Sequence, residues 1–197
     1  MASPHGTGPG RHEAAPAIPV RLAGRPVIGG VAAPWVSVHH SDGTPVLGAV
    51  DAARQAACLA WRLCQACGQP LESPLVLLAR ARDIAAGYVT DPGLHPECAA
   101  YSAAACPMLS GAMRRYRSAP RPRRQQRCGD PACACRAWVP AADSVHRSGH
   151  AAEAFAAVWI RLGDYRLKTD ARTGEPAGVL LAGTRIRKVR PLAPSVR

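Results

Sequence analysis

Leu63-Cys64-Gln65-Ala66-Cys67-Gly68-Gln69-Pro70-Leu71, answered further along by His95-Pro96-Glu97-Cys98, is the pair of stretches whose reading decides this fold. Two thiolates spaced C-x2-C can grip one ion, because a tight turn points both sulfurs and the nearby backbone amides at one spot. Gly68 suits the turn, where a side chain would crowd the knuckle. His95 and Cys98 form a second pair, a loop imidazole beside a thiolate in the first turn of a helix. Four N and S donors make a closed tetrahedron for zinc. The expected structural site is therefore Cys64, Cys67, His95 and Cys98, holding Zn2+.

Working outward from the knuckle, Asp51 is an N-cap for a helix over 52–63, with Ala56, Leu59, Ala60 and Leu63 on one face. After the knuckle come an apolar run at 74–78 and a second extended piece at 88–90. Pro96 opens a helix to about Ala105, since proline has no N–H to lose at the first helical position. Pro107 disfavours a helical Cys106. Knuckle, β-hairpin and helix in that order resemble the treble-clef group of zinc folds. Cys106 competes with His95 for the fourth place. Eight residues along a helix are about 12 Å and about 80° of rotation, which keeps Cys98 and Cys106 off one ion and favours His95.

Either side of this centre the chain changes character. Residues 1–26 carry five prolines and no hydrophobic period, and read as a disordered arm. Short β-prone runs occupy 27–38. His39-His40-Ser41-Asp42-Gly43-Thr44 reads as an exposed turn leading to a strand at 46–50. Residues 114–127 hold seven arginines (Arg114, Arg115, Arg117, Arg121, Arg123, Arg124, Arg127) and no acid, which marks a linker. A small α+β unit follows at 128–190, with a helix over 151–162 (Phe155, Val158, Trp159 and Leu162 on one stripe) and strands at 165–169 and 178–190. A tail covers 191–197. The expected class is α+β: a zinc domain at 27–113, the linker, and the C-terminal unit.

Eight cysteines in a chain without a secretory signal indicate the cytoplasm and argue for metal ligands or free thiols over disulfides. Cys128, Cys133 and Cys135 form either a second site, completed by His146, His150 or Cys106, or a buried thiol cluster. Cys58, inside an apolar helix, reads as core.

The segment from about Val36 to Met113 resembles a group of uncharacterised actinobacterial proteins. The likeness rests on L-C-Q-A-C-G-Q-P-L at 63–71 and H-P-E-C-A-A-Y-S-A-A-A-C-P-M-L at 95–109. It implies that Cys64, Cys67, His95, Cys98 and Cys106 belong to one pattern. It covers under half of the chain and names no reaction.

The charge balance, 25 Lys plus Arg against 13 acids for a net +12, suits phosphate-bearing polymers. The leading expectation is a non-enzymatic, zinc-stabilised module that contacts DNA or RNA through the seven arginines and through Arg185, Arg187, Lys188 and Arg190. Arginine forks match phosphate oxygens without reading bases. A protein-interaction module with a purely structural zinc is the alternative. An HNH-like metal-dependent nuclease is the third reading. It would need a general-base histidine between the knuckles, and none lies between Cys67 and His95. No catalytic residue, membrane contact or further cofactor is assigned.

Overall fold

The computed structural model describes residues 15–116, 128–133, 135 and 147–192. At its centre lies β5 (Leu75–Arg80), L-V-L-L-A-R, buried at all six positions. A continuous apolar run of this length is what a strand covered on both faces requires. β7 (Phe155–Ile160) pairs antiparallel with β5 from Leu75↔Ile160 to Arg80↔Phe155. β10 (Lys188–Pro191) lies on the far side of β7, giving the order β10-β7-β5.

A second sheet has the order β6-β9-β8, from β6 (Tyr88–Val89), β8 (Leu167–Thr169) and β9 (Pro176–Leu180). Two antiparallel pairs precede the knuckle: β1 (Val27–Ile28) with β2 (Val31–Ala32), and β3 (Ser37–His39) with β4 (Pro45–Val50). The helices are α1 (Ala52–Ala60), α2 (Ala81–Ala86) and α3 (Pro96–Ala105). The class is α+β.

Several expectations are corrected here. The stretch at 151–162 is not a helix: Phe155–Ile160 is the middle strand of a sheet, and Leu162 falls in a 3-10 turn. A six-residue apolar run fits both periods, and tertiary context chose between them, because β5 offers an apolar edge that only a strand can pair. The extended pieces at 74–78 and 88–90 are strands, but they do not form a hairpin. α2 intervenes, and each strand finds its partner in the C-terminal segment. Both three-stranded sheets therefore cross the boundary drawn between 27–113 and 128–190. The strand expected over 178–190 is two, β9 and β10, separated by a turn at 181–184.

α1 starts as expected, with the Asp51 carboxylate accepting from the Arg54 amide, and ends at Ala60, short of Leu63. Arg62 then takes a positive φ of 52° and turns the chain into the knuckle. The N-terminal arm ends earlier than composition implies. Leu22 is buried in the core, and Arg21 forms ion pairs with Glu72 and Glu97. At the other end Leu192 packs on the core, and its amide donates to the Phe155 carbonyl.

Arg114 and Tyr116 pair through their backbones with Ala152 and His150. Residues 1–14, the remaining arginines of the linker (Arg117, Arg121, Arg123, Arg124, Arg127), and residues 193–197 lie outside the described residues.

Candidate metal centres

The first centre is built by backbone pairing around the knuckle. Leu63 bridges Pro70 across the turn, the Cys64 amide donates to the Gln69 carbonyl, and the Gly68 amide donates to the Cys64 carbonyl. Gly68 has a φ of +79°, and a Cβ there would lie 2.5 Å from Cδ1 of Trp35. Glycine is thus demanded twice, by the backbone angle and by the indole. Amides of Trp35 and Val36 donate to the Ala66 and Gln65 carbonyls and hold the knuckle to the segment before β3.

The second ligand pair is positioned from the other side. Val76 at the start of β5 exchanges both backbone hydrogen bonds with Leu94, which sets the next residue, His95, against the knuckle. His95 is the N-cap of α3, Pro96 opens the helix, and Cys98 stands in its first turn. The partial positive charge of a helix N-terminus suits a ligand set carrying several thiolates. The Tyr101 hydroxyl accepts from the Ala32 amide at 2.7 Å, tying α3 to β2.

Cys64, Cys67, His95 and Cys98 consequently place one donor atom each within 4.8 Å of one another, and all four are buried. The His95 Nδ1 lies 3.4 Å from the Cys67 sulfur, while its Nε2 lies 2.9 Å from the Pro70 carbonyl oxygen. A carbonyl can only accept, so Nε2 carries the proton and Nδ1 presents its lone pair to the cluster. A hydrogen bond from the far ring nitrogen orients metal-binding imidazoles in this way. Hydrogen bonds from Cys67 and Cys98 push the Cys64 thiol well down from its ordinary range, assisted by the amides of Cys67 and His95. Cys98, donating to that sulfur, is pushed up and keeps its proton. A divalent cation would take the place of the shared protons.

Cys106 is not part of this cluster. It is the C-cap of α3, at the opposite end of the helix from Cys98, in extended backbone. Cys58 sits in α1 as a core thiol, pushed up to about 12 by burial.

The second centre corrects the reading of the histidine turn. His40 does lie in the turn between β3 and β4, where the Asp42 carboxylate accepts from the Thr44 amide. Yet His40 joins Cys128, Cys133 and Cys135, again with all four donor atoms within 4.8 Å of one another. Neither Cys106 nor His150 completes this group, and His146 lies outside the described residues.

The Cys128 and Cys135 sulfurs are 3.8 Å apart, the Cys133 sulfur is 3.9 Å from His40 Nδ1, and the Ser41 amide donates to Cys133 at 3.3 Å. The Cys135 backbone amide, with help from His40, lowers Cys133 to about 6, whereas burial raises Cys135. The one sequence signal for His40 was a thiol trio lacking a fourth donor. Spacing could not supply it, because the donor lies 93 positions from Cys133.

Both clusters fit a metal ion. For tetrahedral zinc, bond lengths of about 2.3 Å to sulfur and about 2.0–2.1 Å to nitrogen imply ligand separations of about 3.8 Å for S···S and about 3.6 Å for S···N. The separations found, 3.4 Å in the first cluster and 3.8 and 3.9 Å in the second, lie around those values. No helix among the described residues is long and apolar enough to cross a membrane. Comparison with protein-family models, with curated proteins and with solved structures finds no match to this chain.

Proposed function

We propose that the protein is a non-enzymatic, zinc-stabilised binding module that contacts nucleic acid through basic segments. The zinc assignment for Cys64, Cys67, His95 and Cys98 is supported by a Cys3His donor set, which suits zinc, and by complete burial. Four protein donors leave no open position for a water or substrate, which supports a structural role. A knuckle first and a helix start second is the ligand order of a treble clef, although the strands between them pair elsewhere.

The observation that carries the nucleic-acid reading is the row Arg185, Arg187, Lys188 and Arg190 at and before β10. All four are exposed, Lys188 and Arg190 on the edge strand of the central sheet and Arg185 and Arg187 in the segment leading into it, and none enters an ion pair with a described residue. Their charges are therefore open to phosphate oxygens, and the strand pairing of β10 fixes the spacing of Lys188 and Arg190. Arg114 and Arg115 begin the other basic segment, which continues through Arg117, Arg121, Arg123, Arg124 and Arg127.

Binding should be indifferent to base sequence and steep in salt. Four phosphate contacts give a slope of about −3.6 in log K against log salt on duplex DNA, roughly two orders of magnitude in affinity between 50 and 200 mM. Fluorescence anisotropy with a labelled duplex reads this directly. Replacing Arg185, Arg187, Lys188 and Arg190 by Gln should flatten the slope and leave the zinc content unchanged. No binding at 50 mM salt, to duplex or to single strand, would reject the reading in favour of a protein-interaction module.

A further inference from the structure

The second cluster lies outside the main core, in a small apolar group of its own. Val38, Val46 and Ala49 of the β3–β4 hairpin pack there with Cys133 and Cys135, and Cys128 is half-buried against them. Three aliphatic side chains of this size are a thin reason for the chain at 128–135 to lie on a hairpin some ninety positions away. The chemistry on the contact is a stronger one. Three thiols and an imidazole converge there, and the 3.8 Å between the Cys128 and Cys135 sulfurs is far from the ~2.05 Å of a disulfide. It is, however, the separation of two thiolates on one tetrahedral zinc.

The supporting turns fit the same picture. Asp42 accepts from the Thr44 amide and shapes the loop that carries His40, and Asp130 accepts from the Ala132 amide in the turn between Cys128 and Cys133. The Ser41 amide, next to His40, points at the Cys133 sulfur, as amides do around metal thiolates.

We propose that His40, Cys128, Cys133 and Cys135 form a second zinc site, whose ion fastens the 128–135 segment to the turn of the β3–β4 hairpin. Nδ1 of His40 and three thiolates close the tetrahedron, so this zinc is also structural. Because His40 and Cys128 are half-buried while every donor of the first site is buried, the second ion exchanges faster. The choice of zinc shares its donor chemistry with the reading of the first centre, whereas the existence of the site rests on its own geometry.

The test is zinc per chain in the full-length protein, purified under reducing conditions and measured by plasma mass spectrometry. Wild type should carry two, and His40→Ala and Cys133→Ser about one each, while His40→Cys should restore two. Titration of the metal-free wild type with Co2+ needs no variant. The thiolate charge-transfer band should grow to two equivalents. A wild type with one zinc, lost in Cys64→Ser but kept in His40→Ala and Cys133→Ser, overturns this site and leaves the first standing. Absence of metal from every form, with no thiolate–cobalt band, overturns both. Iron in place of the second zinc would also overturn the assignment.

Discussion

The two clusters share one donor set, three cysteines and a histidine, and differ in everything around it. At the first, hydrogen bonds of the knuckle and the Val76–Leu94 bridge bring the ligands together from segments that also build the main core. At the second, the ligands come from a hairpin turn and a short segment that meet over a handful of apolar side chains. Coordination chemistry is therefore not what separates them. What separates them is how much folded structure would depend on an ion: at the first it would hold together a core, at the second one segment onto a hairpin.

That contrast is open to attack, beginning where the effect should be largest. Loss of an ion from the first cluster, by Cys64→Ser or His95→Ala, leaves the remaining buried donors without a common partner, and forfeits binding energy on the order of 10 kcal/mol. This equals the whole stability of a typical domain. The cooperative thermal transition should vanish in either variant. Cys133→Ser should instead retain it, with a lower midpoint. Equal loss of the transition in both would erase the distinction between the two sites.

A smaller effect is expected at Gly68, which donates no ligand. Gly68→Ala meets both the positive φ and the Trp35 indole, and should cost about 2–4 kcal/mol by strain and overpacking. Zinc affinity should fall with it, whereas Gly43→Ala in the hairpin turn, also at positive φ but with open space at its Cβ, should cost about 1 kcal/mol. Denaturant midpoints of the two variants give the ranking, and a more damaging change at Gly43 would show the knuckle to be more pliable than its contacts suggest.

The smallest effect belongs to Cys106→Ala. A half-buried thiol at the far end of α3, outside both clusters, should be replaceable for less than about 1 kcal/mol with no change in zinc per chain. Zinc loss in this variant, with His95→Ala retaining its ion, would mean that the ligand assignment is wrong.

Some of this architecture is legible in the chain because it depends on neighbours in sequence. Asp51 caps α1, Pro96 opens α3 and Gly68 serves the knuckle, and each acts within one turn of its own position. The C-x2-C and H-x2-C pairs belong to the same class, since each half-site is a local object and only their meeting is long-range. Cys106 was separated from Cys98 by helix geometry alone.

What the sequence could not determine is where strands and ligands find partners far away. Phe155–Ile160 satisfies a helical stripe and a strand equally, and only the unpaired edge of β5 makes it a strand. The pieces at 74–78 and 88–90 look like a hairpin because nothing local shows that the C-terminal segment competes for both. Leu22 and Arg21 lie in a stretch whose prolines suggest an arm, and are held by a core and by acids supplied from 72 and 97. His40 is the sharpest case: its local signals are those of a turn, which it occupies, and its place beside three cysteines comes from the packing of residues some ninety positions apart. Local free energies are written in short stretches of chain; pairing and ligand convergence are collective, because each is decided against every competing partner in the folded molecule.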